Sequence, residues 1–410
     1  MTISRRAMCG TLATLAAGAV VTPARGDVTS SDAIALPDRA NFALDHIYLN
    51  AAYTHPLGRN VCSAGEKFLR SRMTDPDRPW PQNNPRDRAV AAFASLINAA
   101  PQDIAVVPST MEGENLIVTA LDLNKTTAVV TDAYHYSLPL YGELQKHGIP
   151  VAIATPRNHR IELSEIERLI DHSTRLVAVS AVSSDTGFTH DLKALCEIAH
   201  SKGAWVYADI IQAVGAVPFD VRATGVDFCC AGTYKWLMGD FGVGFLYVRP
   251  DRLKDLARVM VGWRQYENYV SHIYPFDPPG PVGVEYTLGS STAARFEVST
   301  PDWGGLAVVE ESLAYLRRVG VDRIARYRAP LLERLQSELP SRGFQTLTPP
   351  GSNAPLVVFA FEGAARRLGP ALAAARIKVQ LYKNRIRISP SVYNDMGDVD
   401  HLMRVIATVT

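Results

Sequence analysis

Apolar residues fall along the chain in short runs, at 104–108, 128–131, 151–154, 176–182, 205–208, 228–231 and 243–248. Most of the segments between them carry apolar residues at helical spacing, and this alternation predicts an α/β fold built on a mostly parallel sheet. Two of the helices declare their ends. Ser164-x-x-Glu167 reads as a capping box that opens one, and Leu192, Leu195, Cys196 and Ala199 form the apolar stripe of another that stops at Gly203.

The remaining segments set the boundaries. Residues 27–43 are polar and without period, as expected of an N-terminal arm. Residues 262–289, rich in Pro, Gly and Tyr, break the periodicity and predict a loop region between a large domain and a smaller one. From Trp303 the pattern becomes helix, helix, strand, helix, strand, helix, with Pro330 expected to kink or split the second helix. The expected organisation is a signal at 1–26, an arm at 27–60, a large domain at 61–290 and a small one at 291–410.

Composition narrows the partners. The 410 residues, 47% apolar and 20% charged, suffice for a sizeable core, and 42 Lys plus Arg against 41 Asp plus Glu leave a net charge of +1. No positive excess marks a binder of nucleic acid or of membrane surfaces, so small molecules are the expected partners. Cys9, Cys62, Cys196, Cys229 and Cys230 have no C-x-x-C spacing, which argues against both a zinc site and a disulfide framework. Cys196, Cys229 and Cys230 fall in apolar surroundings and read as core residues.

The apolar stretch 12–21 is too short to span a bilayer and predicts no stable membrane anchor. It follows Arg5-Arg6 and precedes the small-x-small sequence Ala24-Arg25-Gly26. Together these resemble a twin-arginine export signal cleaved near Gly26, which implies passage through the twin-arginine machinery to the periplasm.

The chemistry concentrates at 204–248. Asp209 ends a predicted strand, Gln212 follows it, and Lys235 closes the next strand before a glycine-bearing loop, so an acid and an amine from adjacent elements can face one crevice at the strand ends. Pyridoxal phosphate needs this pairing: a lysine to hold its aldehyde and a carboxylate to keep its ring nitrogen protonated. Asp209-x-x-Gln212, Gly225-Val226-Asp227-Phe228 and Tyr234-Lys235-Trp236-Leu237 resemble the class V aminotransferases of fold type I, a family that includes cysteine desulfurases, isopenicillin N epimerase-like proteins and kynureninases. The resemblance runs from Ile47 onward and implies a large domain with a mostly parallel seven-stranded sheet and a smaller α+β C-terminal domain.

The resemblance also implies roles. Ser109-Thr110-Met111 is similar to the family's phosphate-cup turn, with Met111 where a second threonine is common, so that position offers only its backbone. His135 aligns with the residue that stacks on the cofactor ring, Tyr134 and Tyr136 being alternatives one residue away. Ser184 stands where the family often has an asparagine near the cofactor's phenolic oxygen. Tyr234 replaces a histidine beside the phosphate, and Thr233 is a candidate for the hydroxyl that this chain lacks there. Arg295 to Pro301 resembles the stretch that sends a threonine, here Thr300, to the neighbouring subunit's phosphate, which implies a homodimer.

In Asn384-Arg385-Ile386-Arg387, strand alternation puts both arginines on one face. The family ending R-x-S-x-x-x-Y-N makes Arg387 the receiver of a substrate α-carboxylate. The expectation is a pyridoxal-phosphate enzyme acting on the amino group of an amino acid or an amino-acid-bearing metabolite, aminotransferase-type first, epimerase or C–S/β-elimination lyase as alternatives. Residues 301–387 contain no cysteine, so persulfide chemistry on a mobile thiol there is not expected. A non-catalytic binding protein is the remaining alternative, disfavoured because Lys235 and Asp209 are both present.

Overall fold

The large sheet is ordered by where its apolar runs end. In the computed structural model, which describes residues 34–76 and 84–410, the strands are β1 (Ile104–Val107), β2 (Ala128–Asp132), β3 (Val151–Ala154), β4 (Thr174–Ser180), β5 (Trp205–Asp209), β6 (Phe228–Gly232) and β7 (Gly244–Val248). The expected export signal lies outside the described residues. The strands stand in the order β1-β7-β6-β5-β4-β2-β3, and β7 alone runs against its neighbours. The fourth run sits two residues earlier than its apolar pattern suggests. Thr174 pairs with Ala128 in the ladder, whereas Ala181 leaves it to donate to Asp209 O at 2.8 Å. Apolar runs report burial, and pairing extends into polar positions.

Successive strand residues enter different cores, as a two-residue period requires. Val206, Ala208, Cys229 and Ala231 pack on one face; Trp205, Tyr207, Phe228 and Cys230 pack on the other. Helices α1 (Arg59–Thr74), α2 (Pro85–Leu96), α3 (Thr110–Ala120), α4 (Leu138–Lys146), α5 (Leu163–Leu169) and α6 (Leu192–Ser201) accompany the sheet, α3 and α4 on the second face, α2, α5 and α6 on the first. In α6 the stripe Leu192, Leu195, Cys196 and Ala199 is buried as expected. The capping box at α5 does not form: the helix starts two residues early, at Leu163, which places Ser164 inside the first turn.

Residues 262–289, expected as a loop, hold an antiparallel hairpin of β8 (Tyr266–Ser271) and β9 (Val284–Leu288). Beyond it come α7 (Trp303–Val319) and α8 (Val321–Glu338), and α8 passes through Pro330 without splitting. Burial of Ile324 on one side of the proline and of Leu331, Leu332 and Leu335 on the other holds both halves in one helix. Next follow β10 (Gln345–Thr346), β11 (Val357–Ala360), α9 (Ala364–Ala374), β12 (Gln380–Tyr382), β13 (Arg385–Ile388) and α10 (Met396–Ala407). Their four strands form an antiparallel sheet ordered β10-β11-β13-β12, over a separate core of Leu331, Phe359, Ile386 and Leu402. Among the described residues no helix is long and apolar enough to cross a membrane.

Candidate active site

Because β7 alone is reversed, β1, β2, β4, β5 and β6 all end at one edge of the sheet, where ligands of such folds gather. Lys235 lies in the connection from β6 to β7. The Thr233 hydroxyl draws that loop together by reaching Asp240 O and Val243 O at 2.6 and 3.0 Å, so it is spent on the backbone and does not supply the missing phosphate donor. Trp236 Nε1 donates to Gln212 Oε1 at 2.8 Å, and Gln212 Nε2 donates to Ala52 O at 2.9 Å. Gln212 thereby locks the turn after β5 to the lysine loop. A Cβ at Gly215 would stand 2.3 Å from Trp236 O, so only glycine permits this approach.

Lys235 is 8% exposed, and its amine makes no hydrogen bond to a described residue. It lies 5.7 Å from the centre of the Tyr136 ring and 5.6 Å from that of Tyr234. Burial lowers its pKa to about 8, with Asp209 pulling the other way. Asp209, 3% exposed, accepts from Ile211 N–H at 2.9 Å through Oδ1. Its pKa rises to about 6, chiefly from burial, with Glu114 adding to the rise and the Ile211 N–H, His135 and Lys235 opposing it.

The turn expected to cup the phosphate is the capped start of α3. Ser109 caps α3 by accepting Glu112 N–H at 3.1 Å, which leaves the first N–H groups of the helix, at Thr110 and Met111, without intrahelical partners. Thr110 Oγ1 accepts from Gly232 N–H at 2.7 Å, fixing the turn to the end of β6 while keeping its own proton to donate. Tyr234 is half-buried and stacks on Phe241, with ring centres 5.0 Å apart.

Arg385 and Arg387 do share a face, and both reach the 184–185 backbone. Arg385 pairs with Asp185 at 2.8 Å, whereas Arg387 Nη1 donates only to Ser184 O at 3.0 Å. Arg387 is 4% exposed, its Nε has no acceptor, and no described carboxylate forms an ion pair with it. Ser184 thus acts through its carbonyl, and its hydroxyl makes no hydrogen bond to a described residue. Two serines of the R-x-S-x-x-x-Y-N ending hold the fold together: Ser389 Oγ accepts from Ala52 N–H at 3.0 Å, and Ser391 Oγ meets His55 Nε2 at 2.8 Å.

His135 requires correction. Its side chain is wholly enclosed, with Nδ1 3.0 Å from Ser180 Oγ and Nε2 2.7 Å from Glu114 Oε1, so it presents no face to the cleft. Of the three candidates for stacking, Tyr136, 61% exposed, has its ring near Lys235; Tyr134 packs toward Phe188. Thr300 is exposed, and no contact among the described residues joins it to the Lys235 cleft of its own chain. Its segment is anchored by Glu297, which accepts from Arg86 Nε at 2.9 Å and Val106 N–H at 2.8 Å. Buried Glu114, Tyr141 and Ser180 were not foreseen from the sequence.

The profile of the Aminotransferase class-V family matches residues 47–402. An uncharacterized aminotransferase, YcbU, of Bacillus subtilis is 27% identical over 319 residues, 78% of this chain and 82% of that one. A cysteine desulfurase of Enterobacter sp. strain 638 is 27% identical over 339 residues, covering 77% and 79%. Among solved structures, the apo cysteine desulfurase of Thermococcus onnurineus NA1 shares the fold with a TM-score of 0.79 at 23% identity, over 92% of this chain and 99% of that one. A variant of the enzyme C-DES with glycine covalently linked to its pyridoxal-phosphate cofactor gives 0.76 at 20% identity, over 90% and 99%.

The residues fit that cofactor. A buried amine without a hydrogen-bond partner suits its aldehyde, a buried carboxylate with one oxygen unused suits its ring nitrogen, and the open N–H groups of α3 suit its phosphate. Pyridoxal phosphate is the cofactor of this family, and Lys235, Asp209, Ser109, Thr110 and the Met111 backbone are the residues that would hold it here.

Proposed function

The chain belongs to the class-V aminotransferase family, and we propose that it acts at the Cα of an amino acid bearing a free α-carboxylate, aminotransferase-type chemistry being the first reading. The observation that carries this is Arg387, a buried cation with an unused Nε and no carboxylate partner among the described residues. Its planar fork suits a carboxylate held through two parallel hydrogen bonds.

Pyridoxal phosphate, when bound, supplies an electron-accepting ring that makes the Cα proton of an attached amino acid acidic. Asp209 keeps that ring protonated and charged, and Lys235 takes and returns the proton. With the amine at about 8, roughly one lysine in ten is already neutral at pH 7. Tyr136 offers its ring to the cofactor face, the part first expected of His135.

A second reading, elimination of a β-substituent through sulfur, draws support from the cysteine desulfurase among the relatives. The stretch 301–387 has no cysteine to take up sulfur, so this route would release sulfide from a thiol substrate, or a persulfide from a substrate that already carries a disulfide. Incubation of the purified holoprotein with a panel of amino acids decides between them. A 2-oxo acid of unchanged carbon skeleton with an aminated cofactor means transamination, whereas pyruvate with ammonia and sulfide means elimination. A cofactor spectrum that no amino acid changes would overturn both.

A further inference from the structure

Beside Asp209 lies a second pair of ionisable groups that the reaction above does not use. Glu114 is wholly buried on α3, and its Oε1 accepts from His135 Nε2 at 2.7 Å and from the Tyr141 hydroxyl at 2.6 Å. Its Oε2 has no hydrogen-bond partner. A carboxylate so placed must be neutralised by protonation or matched by a cation, and of its two bonded partners only His135 can carry positive charge.

His135 is tied in turn to the catalytic edge. Its Nδ1 meets Ser180 Oγ at 3.0 Å, and Ser180 stands directly opposite Asp209 in the ladder between β4 and β5. Ladder partners send their side chains to the same side of a sheet, so the ring hangs from the residue next to the carboxylate that serves the cofactor.

We propose that Glu114 and His135 are positioning residues acting as one unit: Glu114 holds the His135 ring as a cation, and that cation holds Asp209 ionised toward the cofactor's ring nitrogen. The inference rests on the pyridoxal-phosphate reading of the site. The other groups facing the pair agree with it. Asp132 from β2 and Asp209 from β5 add negative charge around the ring. Tyr141 from α4, Tyr207 from β5 and Cys230 from β6 are all held in their neutral forms by burial. Burial works against a cation at His135, yet Glu114 leads the opposing charges that raise its pKa above the ordinary value.

Ring-nitrogen NMR of the cofactor-free protein, labelled in histidine, reads the first half directly, with the His135 signals assigned by their loss in His135→Gln. Both ring nitrogens should stay protonated through pH 8. In Glu114→Gln, which keeps an acceptor of the same size, the ring should be neutral above about pH 6.5. Near-UV circular dichroism checks that this variant keeps its fold. The pH titration of the bound cofactor's visible absorbance reads the second half. His135→Gln, which leaves the Glu114 charge unmatched, should raise the midpoint most; Glu114→Gln removes the cation and that negative charge together and should shift it less, and the double variant should match Glu114→Gln because no cation is left to erase. A neutral His135 ring at pH 7 in the unsubstituted protein overturns the proposal, as do additive shifts in the double variant. Failure of the protein to bind the cofactor at all would instead overturn the underlying reading, and leaves the NMR arm standing.

Discussion

Arg387→Met tests whether a buried cation is kept for a ligand at the fold's expense. In the free protein Arg387 gains one hydrogen bond, to Ser184 O at 3.0 Å, and burial disfavours its charge. A charged donor on a carbonyl contributes about 1.5–3 kcal/mol, whereas an unmatched buried charge costs several. Methionine fills comparable space without charge, so the cofactor-free variant should be as stable as the parent or more stable by about 1–3 kcal/mol. The ligand side has the opposite sign. Two charge-assisted bonds to a substrate carboxylate contribute about 3–6 kcal/mol, and at about 1.4 kcal/mol per decade their loss lowers kcat/KM roughly 10²- to 10⁴-fold. Urea unfolding measures the first effect. Cofactor absorbance on addition of an amino acid, and of the amine left by removing its carboxyl group, measures the second. The penalty should fall on the acid alone. Equal losses for acid and amine, or marked destabilisation with unchanged selectivity, would refute the carboxylate role.

Four further outcomes are expected. The Lys235 amine is held at about 8 against an ordinary 10.5, so the folded protein binds fewer protons than the unfolded chain between those values and its stability rises with pH across that window. Lys235→Met should therefore stabilise the cofactor-free protein at pH 7 by up to about 3 kcal/mol, an advantage lost above about pH 10.5; a variant less stable than the parent at pH 7 contradicts this. Gly113→Ala puts a Cβ 2.4 Å from Cys230 Sγ, an overpacking cost of about 1–3 kcal/mol against about 1 gained in helix propensity, and should weaken cofactor binding by displacing α3. Adding Cys230→Ala should restore binding, and no restoration refutes the contact. If Thr300 serves a partner's phosphate in a homodimer, as we propose, mixing Lys235→Ala with Thr300→Ala subunits should recover activity; subunit exchange without recovery argues against it. Arg5→Lys with Arg6→Lys should trap cofactor-loaded precursor in the cytoplasm if export follows the twin-arginine route, and unimpaired export would show an ordinary signal.

What the sequence made legible follows the physics of burial. The strands of the large sheet stand out because each is covered on both faces and so reads as an unbroken apolar run. Lys235 and Asp209 are legible because the strand pattern places them at the ends of adjacent strands. The hairpin at β8 and β9 is not, since its polar and aromatic residues lack an apolar run and a Pro/Gly-rich tip separates its halves. Glu114 is harder still. Within α3 it follows exposed Glu112 and reads as another solvated acid, and only packing against α4 and the sheet encloses it. His135 and Tyr136 differ by one position in an irregular turn after β2, where no period fixes which side chain faces the cleft. Thr233 fails for a related reason: a hydroxyl's direction depends on the carbonyls nearby, here those of Asp240 and Val243.

Burial alone does not separate chemistry from architecture in this protein, and around the Lys235 cleft unused bonding capacity is the sharper mark. Asp227 is as deeply buried as Asp209, yet it accepts from His200 Nε2 at 2.7 Å, Arg252 Nε at 2.8 Å and Val206 N–H at 2.7 Å. Its charge is matched within the fold, and its pKa is lowered despite the cost of burial. Asp209 has one backbone bond and a raised pKa, Lys235 has no hydrogen bond to a described residue and a lowered one, and Arg387 keeps an Nε without an acceptor. All three shifts favour the uncharged form, so each group would be better matched by a ligand than by the protein. In the function proposed above, their unused valences would meet in turn a ring nitrogen, an aldehyde and a carboxylate. The two sites therefore make opposite predictions for the same kind of substitution: Asp227→Asn should destabilise the fold, whereas Asp209→Asn should leave the cofactor-free fold intact or firmer and weaken its hold on the cofactor.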